Sequence, residues 1–297
     1  MTSEKIRVGF IGMGIMGGPM AGNCLKAGFP VTVYNRTAAK CKPLADAGAA
    51  VADSPAAAAK DANVVCLCVT ADADVLEVVL DEQAGIIAGV RQGAIVVDHS
   101  TVSPSVARKC ADALGRRGVG FLDAPVSGGD VGAKAGTLSI MVGGKRDDFD
   151  RALPVLEAMG KTVTYCGDSG AGYTVKLCNQ ILGGLHLVAA AEALALAGAA
   201  GIDRQAMLAA VSSGAAGSWI LSNLGPKMAS GDDEPGFFID YQLKDLKLAE
   251  RAADELSLPL PATALIKTLM QAASAQGYGK CGTQAVHHVI DSLGGKG

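Results

Sequence analysis

The glycine pattern near the amino terminus constrains the fold of this chain more than any other feature. Gly12, Gly14 and Gly17 form a strict G-x-G-x-x-G directly behind the apolar run 6–11, which reads as a strand. In this motif the first glycine permits a tight turn, the second lets the backbone approach a pyrophosphate, and the third lets helix pack on strand. The helix that follows offers free N–H groups to phosphates. The motif alone is weak, but its strand–turn–helix setting predicts a dinucleotide-binding domain.

The two halves of the chain differ in hydrophobic period. In the first half, continuous apolar runs such as Val64–Val69 and Ala94–Asp98 alternate with helical patterns, which is typical of a parallel sheet covered on both faces. After about residue 170 the strand signals stop, and a long helical pattern from Gly172 to Ala200 leads into further helices. We therefore predict an α/β Rossmann-type doubly wound domain over 1–168 and an all-helical domain over 169–297, joined by the long helix. The helical domain is expected to contribute to a substrate cleft and to oligomerisation.

Composition excludes several classes of protein. With 49% hydrophobic and 19% charged residues among 297, the chain can bury a large core and is not disordered. A formal net charge of −3 argues against a general nucleic-acid surface, which would be clearly basic. No uninterrupted apolar window is long enough for a bilayer span, so we expect no membrane association.

The cysteines and histidines indicate a reduced compartment and no metal. Eight cysteines include no C-x-x-C pair, so they read as reduced thiols of a cytoplasmic protein. Of the four histidines, His287 and His288 are adjacent, and Cys281 precedes them, but this does not match a zinc spacing. The sequence therefore predicts no metal site.

The end of the second strand bears on the choice of cofactor. NAD-binding sites usually place Asp or Glu here to hold the ribose 2′-hydroxyl. This chain has Asn35, Arg36 and Thr37 instead. Arg36 could pair with a 2′-phosphate and Thr37 could donate a hydroxyl, although an exposed loop arginine is the alternative. We predict NADP(H) as the preferred cofactor, with NAD(H) possible.

Two further clusters suggest where a substrate binds. Ser127, Gly128 and Gly129 place a hydroxyl beside consecutive N–H groups, which suits a carboxylate, although a plain glycine turn explains the same residues equally well. On the long helix, Lys176 shares one face with Asn179, Gln180 and Gly183. The alternative for Lys176 is a side chain that only covers apolar surface with its methylene groups and extends its ammonium group to water. It is disfavoured because a lysine near a helix amino terminus opposes the helix dipole.

Together these segments resemble the β-hydroxyacid dehydrogenase family nearly end to end. The resemblance rests on the extended glycine motif Val8–Ala21, on D-A-P-V-S-G-G at 123–129, on G-A-G-Y-T-V-K-L-C-N-Q at 170–180, and on Lys244-Asp245-Leu246. It implies a nicotinamide-dependent oxidoreductase that acts on a CH–OH or aldehyde group and that forms a homodimer or homotetramer.

The resemblance also implies roles for individual residues. Lys176 would be the catalytic acid/base, and Asn179 or Gln180 would orient the substrate, whose carboxylate would lie on Ser127, Gly128 and Gly129. The implied cofactor contacts are Gly12, Met13, Gly14, Ile15, Met16, Asn35, Arg36, Thr37, Val69, Thr70, Thr101 and Lys244. Trp219 is expected at the acyl end of the pocket, with a place in the core as the alternative. Some members have Asn four residues after the lysine, whereas this chain has Gln180 there and Asn179 one residue earlier.

These expectations combine into one functional hypothesis with alternatives. The resemblance implies an NADPH-dependent reductase of a small carboxylated aldehyde, with 2-hydroxy-3-oxopropionate (tartronate semialdehyde) as the first choice of substrate. The alternatives within the family are 3-hydroxyisobutyrate oxidation and reduction of glyoxylate or succinic semialdehyde. An imine reductase is disfavoured because Lys176 is retained, and a non-catalytic NADP-binding regulator because all three clusters are retained.

Overall fold

The structure is a computed structural model and describes residues 5–294. The chain divides after Lys176 into two compact units. The first combines a sheet with helices and the second is helical, so the predicted fold class is confirmed. The proposed domain boundary at 168/169 stays a prediction.

The first unit is built on one nine-stranded sheet. Its strands are β1 (Val8–Ile11), β2 (Val31–Tyr34), β3 (Ala50–Val51), β4 (Val64–Leu67), β5 (Ile95–Asp98), β6 (Gly120–Asp123), β7 (Val126–Ser127), β8 (Leu138–Gly144) and β9 (Gly160–Gly167). The order is β3-β2-β1-β4-β5-β6-β8-β7, with β9 also pairing β8. Strands β1 to β6 are parallel, whereas β8 runs antiparallel to β6 and β7.

Helices cover both faces of this sheet, as continuous apolar strands require. They are α1 (Gly17–Lys26), α2 (Lys42–Asp46), α3 (Pro55–Ala59), α4 (Asp72–Leu80), α5 (Ile86–Gly89), α6 (Pro104–Gly115), α7 (Gly129–Ala135) and α8 (Arg146–Glu157). Two hydrophobic clusters result. One includes Phe10 and Val33 beneath α1, and the other includes Val65 and Val96 beneath α6.

Strand register brings the predicted cofactor segments to one edge of the sheet. Ile11 lies opposite both Tyr34 and Leu67, and Leu67 lies opposite Asp98. Asp98 in turn lies opposite Asp123. The residues that follow these strands therefore emerge side by side. The strand order reverses between β1 and β4, which is where open α/β sheets bind their ligands.

The long helix α9 (Ala171–Ala199) crosses from the first unit into the second. Within residues 5–294 it is the one helix whose length and hydropathy would allow a membrane span. Such properties are also typical of core helices, and α9 carries Lys176, Asn179 and Gln180 in its first three turns.

The second unit packs helices around a separate core. They are the rest of α9 with α10 (Arg204–Val211), α11 (Trp219–Ser230), α12 (Ile239–Glu255), α13 (Pro261–Ala275) and α14 (His287–Leu293). Leu194, Leu246 and Met270 lie in this core. Amphipathic faces on α12 and α13 supply much of it, as expected for helices that bury one stripe.

Candidate active site

A cavity of about 350 Å³ opens at the carboxyl ends of β1, β2 and β4. The predicted cofactor residues that line it are Gly12, Gly14, Asn35, Arg36, Thr37, Val69 and Thr70. Met13, Ile15, Met16 and Thr101 do not line it, and Lys244 belongs to the second unit. A larger cavity of about 620 Å³ lies in the second unit beside Arg204 and Asp291, and none of the predicted site residues lines it.

The three motif glycines differ in how much space surrounds their Cα atoms. Gly12 has φ of +96°, and a Cβ there would overlap the carbonyl oxygen of Cys68. A Cβ on Gly17 would overlap the carbonyl oxygen of Gly12. A Cβ on Gly14, by contrast, would meet no described atom within 4 Å. Protein packing therefore requires Gly12 and Gly17 but not Gly14. The open space beside Gly14 fits a pyrophosphate that approaches the backbone.

This difference predicts a separation of folding from cofactor binding. Gly14→Ala should leave thermal stability nearly unchanged because the new methyl group enters open space. It should weaken nicotinamide cofactor binding by roughly 10- to 100-fold, the cost of a methyl group pressed against a closely bound ligand. Calorimetric titration with NADPH and a thermal melt test both parts. Unchanged affinity would contradict the assignment of Gly14, and Gly12→Ala, which should unfold the turn, is the control.

The segment after β2 is held in place by Asn35. Its side-chain oxygen accepts a hydrogen bond from the Met13 amide at 2.9 Å, and its Nδ2 donates to the Thr37 carbonyl at 2.9 Å. Asn35 thereby joins the glycine turn to the loop that carries Arg36, which is exposed at the cavity. Lys40 also lines the cavity, and our sequence reasoning missed this second cation. Its spacing of four residues from Arg36 was the available signal.

A buried hydrogen-bond chain ties the start of α9 to the ends of β4 and β5. The Tyr173 hydroxyl donates to Asp98 Oδ2 at 2.6 Å, and Asp98 Oδ1 accepts from the Ser100 amide at 2.8 Å. The Ser100 hydroxyl accepts from the Val69 amide at 2.9 Å. Burial raises the pKa of Tyr173 well above its ordinary value, so the phenol remains a donor. The predicted ribose and nicotinamide segments are thus linked to the first turn of α9.

Asp123 caps α9 from the end of β6. Its Oδ1 accepts a hydrogen bond from the Gly170 amide at 2.8 Å, and its Oδ2 accepts from the Tyr173 amide at 2.9 Å. Burial raises the pKa of Asp123 to about 6, and the two amide donors oppose that rise. A negative charge at a helix amino terminus is favourable, and the first amides of a helix lack acceptors within it. Asp123 satisfies two such buried N–H groups.

Gly172 sets how closely α9 approaches the sheet. A Cβ at this position would overlap the carbonyl oxygens of Asp123 and Met141, so only glycine permits this contact. Lys176 follows four residues later and lies on the same helix face. Lys176 is 7% exposed. The helix face that rests on the ends of β6 and β8 therefore carries the predicted catalytic lysine.

The predicted carboxylate site adjoins the same strand, β8. Ser127 ends β7 and pairs with Ser139 of β8. Met141, whose carbonyl oxygen lies against Gly172 of α9, is two residues further along β8. Gly128 and Gly129 have φ values of +132° and +63° and lead into α7. Both glycines are exposed and Ser127 is half-buried, so their donors are accessible. The predicted binding of a carboxylate at these three residues stays a prediction.

In the second unit, the side-chain amide of Gln180 is hydrogen-bonded to neighbouring side chains. Its Nε2 donates to Gln242 Oε1 at 3.1 Å and to Asp245 Oδ2 at 2.7 Å, and its Oε1 accepts from Asn179 Nδ2 at 2.8 Å. Both amide hydrogens of Gln180 are thus used inside the protein. In the described part of the chain, Asn179 retains one N–H and its side-chain oxygen.

The two remaining predicted residues also lie in the second unit. Lys244 forms an ion pair with the buried Asp245, with 3.1 Å between Nζ and Oδ1. Trp219 begins α11 and is 70% exposed, so the alternative of a core position is wrong. Their proposed contacts with cofactor and substrate stay predictions.

Sequence profiles of known families match both parts of the chain. One described as the NAD binding domain of 6-phosphogluconate dehydrogenase matches residues 7–167. Another, described as NAD-binding of NADP-dependent 3-hydroxyisobutyrate dehydrogenase, matches residues 170–290. The two together cover almost the whole chain.

Named proteins resemble the chain along its length. A probable 3-hydroxyisobutyrate dehydrogenase-like protein of Arabidopsis thaliana is 40% identical over 99% of this chain and 87% of its own. The 2-(hydroxymethyl)glutarate dehydrogenase of Eubacterium barkeri is 35% identical over 98% of this chain and 97% of its own length. The NAD-dependent L-serine dehydrogenase of Pseudomonas aeruginosa is 36% identical over 98% of this chain and 99% of its own length. Among solved structures, 3-hydroxyisobutyrate dehydrogenase from Salmonella typhimurium has a TM-score of 0.86 at 36% identity, covering 96% of this chain and 100% of that one.

Proposed function

This chain belongs to the 3-hydroxyisobutyrate dehydrogenase family of nicotinamide-dependent oxidoreductases, and on that premise we propose that it reduces a 2-substituted 3-oxopropanoate to the corresponding 3-hydroxy acid with NADPH. One observation carries the proposal. The contact face of α9 that Gly172 places against β6 and β8 also carries the buried Lys176. Ser127, at the predicted carboxylate site, pairs with β8 as well. An acid/base group and an anion site therefore adjoin one strand.

The names of the relatives define a common chemical unit. 3-Hydroxyisobutyrate, 2-(hydroxymethyl)glutarate and L-serine each carry a primary hydroxyl group on the carbon β to a carboxylate. They differ only in the substituent at C2. The aldehyde 2-hydroxy-3-oxopropionate is the oxidised form of this unit: its aldehyde carbon lies β to the carboxylate, and the substituent at C2 is a hydroxyl group. Glyoxylate and succinic semialdehyde do not have it.

The amide pair on α9 favours a hydroxyl substituent at C2. Because Gln180 is committed to Gln242 and Asp245, we assign the orienting role to Asn179. An amide with an available N–H and oxygen can hydrogen-bond a hydroxyl group but gains nothing from a methyl group. We therefore place 2-hydroxy-3-oxopropionate first and the aldehyde of 3-hydroxyisobutyrate second.

The mechanism follows from the chain's own side chains. Ser127 and the amides of Gly128 and Gly129 would bind the substrate carboxylate and so orient the aldehyde. When bound, the nicotinamide cofactor supplies the hydride that reduces the carbonyl carbon. Lys176 Nζ would hold the carbonyl oxygen, stabilise the negative charge that develops there, and give it a proton. The product is then the neutral alcohol of a hydroxy acid.

Arg36 supports the preference for NADPH. The position that usually carries a ribose-binding carboxylate is neutral Asn35, and Arg36 and Lys40 are exposed at the same cavity. Arg36→Ala should raise the KM for NADPH by about 10- to 100-fold, because a charge-assisted hydrogen bond to phosphate contributes about 1.5–3 kcal/mol. The KM for NADH should change little. Arg116→Ala, an exposed arginine at the end of α6, is the control; equal effects on both cofactors would contradict the proposal.

A substrate panel tests the proposed function. NADPH oxidation is measured with 2-hydroxy-3-oxopropionate, methylmalonate semialdehyde, glyoxylate, succinic semialdehyde and a cyclic imine. We expect kcat/KM to be highest for the first and lowest for the aldehydes without the shared unit and for the imine. A preference for the imine would support an imine reductase, and cofactor binding without turnover would support a regulator. Either result would overturn the proposal.

We also propose that the protein is a cytoplasmic homodimer or homotetramer. Leu182, Leu196 and Leu265 on the helices of the second unit are each more than half exposed. Subunit association that covered these side chains would remove apolar surface from water, which favours the oligomer.

A further inference from the structure

A cluster of two histidines and one aspartate lies in the second unit, apart from every residue assigned above. His287 and His288 begin α14, and Asp233 lies in the turn between α11 and α12. One potential ligand atom from each lies within 4.8 Å of the others. Asp233 lies more than 50 positions before the two histidines, so local ligand spacing does not connect it with them.

Two buried acceptor atoms face each other in this cluster. His287 Nδ1 lies 3.2 Å from Asp291 Oδ2, so the hydrogen bond to that carboxylate places the ring proton on Nδ1. The opposite nitrogen, Nε2, then presents a lone pair to Asp233 Oδ1 at 3.8 Å. Both atoms are buried and neither has a hydrogen-bond partner within residues 5–294. A cation between them would satisfy both buried lone pairs.

The side chain of His287 is 9% exposed, so water does not easily satisfy its Nε2. A proton on that nitrogen is the alternative cation. A metal ion binds the neutral imidazole, and the lone pair on Nε2 is the one that faces Asp233.

We propose that His287 Nε2, His288 Nε2 and the Asp233 carboxylate bind one divalent transition-metal ion, with Zn²⁺ the best match. Imidazole nitrogen and carboxylate oxygen are ordinary zinc ligands at about 2.0–2.2 Å. Two ligands of a tetrahedral ion at that distance are about 3.3 Å apart, so these three atoms would have to close by at most roughly 1.5 Å. A solvent molecule would complete the coordination.

Each of the three ligands is already oriented by other groups. Asp291 holds the His287 ring, as a carboxylate behind a metal-binding histidine commonly does. The Tyr278 ring stacks on His288 with centroids 4.5 Å apart. The Asp233 backbone carbonyl accepts from the Gly282 amide at 2.8 Å.

The turn around Asp233 is held from both sides. Gln284 Nε2 donates to the carbonyls of Asp232 and Glu234 at 2.9 Å and 3.0 Å. Asp233 and His288 have side-chain exposures of 26% and 31%, which leaves a route for an ion to enter. The site would join the α11–α12 turn to α14 and so stabilise the carboxyl-terminal end of the second unit.

Metal titration of untagged, chelator-treated protein tests this inference. Calorimetry with ZnCl₂ should give one ion per chain, and added zinc should raise the midpoint of thermal unfolding, because a ligand that binds only the folded state stabilises it. His287→Gln and His288→Gln should each weaken zinc binding at least 10-fold. His186→Gln, an exposed histidine on α9, is the matched control and should match the parent.

Two further variants keep the test decisive if a histidine variant unfolds. Asp233→Asn preserves shape and should also weaken binding at least 10-fold. Asp291→Asn leaves all three ligands present and should weaken it by about 10- to 100-fold, the usual effect of removing the group behind a metal-bound histidine. Cobalt in place of zinc should give visible absorption bands that the variants of the three ligands lose. No stoichiometric binding, or binding equal in the parent and in folded ligand variants, would overturn the inference.

Discussion

Lys176→Ala is expected to lower kcat for aldehyde reduction by about 10²- to 10⁴-fold, the usual contribution of a positioned general acid. The alanine can neither donate the proton nor stabilise the charge on the carbonyl oxygen. Cofactor affinity should change little, because the residues proposed to bind the cofactor stay in place. Steady-state kinetics and calorimetric NADPH titration separate the two effects.

A charge-preserving variant sharpens this prediction. Lys176→Arg keeps a cation beside the substrate, but arginine does not release a proton in proteins. It should therefore also lose most of kcat, although it should retain more substrate affinity than Lys176→Ala. Lys161→Ala, an exposed lysine on β9, should behave like the parent. A folded Lys176→Ala protein with more than a tenth of the parent kcat would exclude Lys176 as the acid.

Asp123→Ala is expected to reduce the free energy of unfolding by about 2–6 kcal/mol. The substitution leaves the buried Gly170 and Tyr173 amides without acceptors, and each such group costs about 1–3 kcal/mol. Activity should fall too, because the first turn of α9 positions Lys176. Urea unfolding followed by circular dichroism measures the loss.

Asp150→Ala is the matched control for Asp123→Ala. Asp150 forms an exposed ion pair with Arg146 on α8, and removing such a pair should cost less than about 1 kcal/mol. A loss below 1 kcal/mol for Asp123→Ala as well would mean that the cap at α9 contributes little. The anchoring of Lys176 through the end of β6 would then have to be abandoned.

The predicted fold class is confirmed because its signals are local. The parallel strands and the long helix could be recognised from hydrophobic period alone, since a strand or helix buries a face set by its own repeat. The predicted α9 range of 172–200 differs from Ala171–Ala199 by one residue at each end. The glycine motif could be placed because Gly12 and Gly17 meet atoms of the same strand–turn–helix unit or its neighbouring strand.

The roles within the candidate site depended on distant partners. Asn179 and Gln180 are equivalent amides in the sequence, and only the contacts of Gln180 with α12 distinguish them. Asp123 could be named as part of a motif, but its bonds to amides 47 and 50 residues away could not be inferred from spacing. Lys40 became a candidate only when it was found at the cavity.

The sequence by itself determined the two-part architecture, the dinucleotide motif and the family, because each depends on residues within one element or on a nearly continuous match. The tertiary structure decided which side chains are committed to the protein and which are available to a ligand. It also joined Asp233 to His287 and His288, where sequence spacing had predicted no metal site. The reason is physical: the pairing of polar groups depends on which elements pack together, and no local repeat records contacts between residues so far apart in the chain.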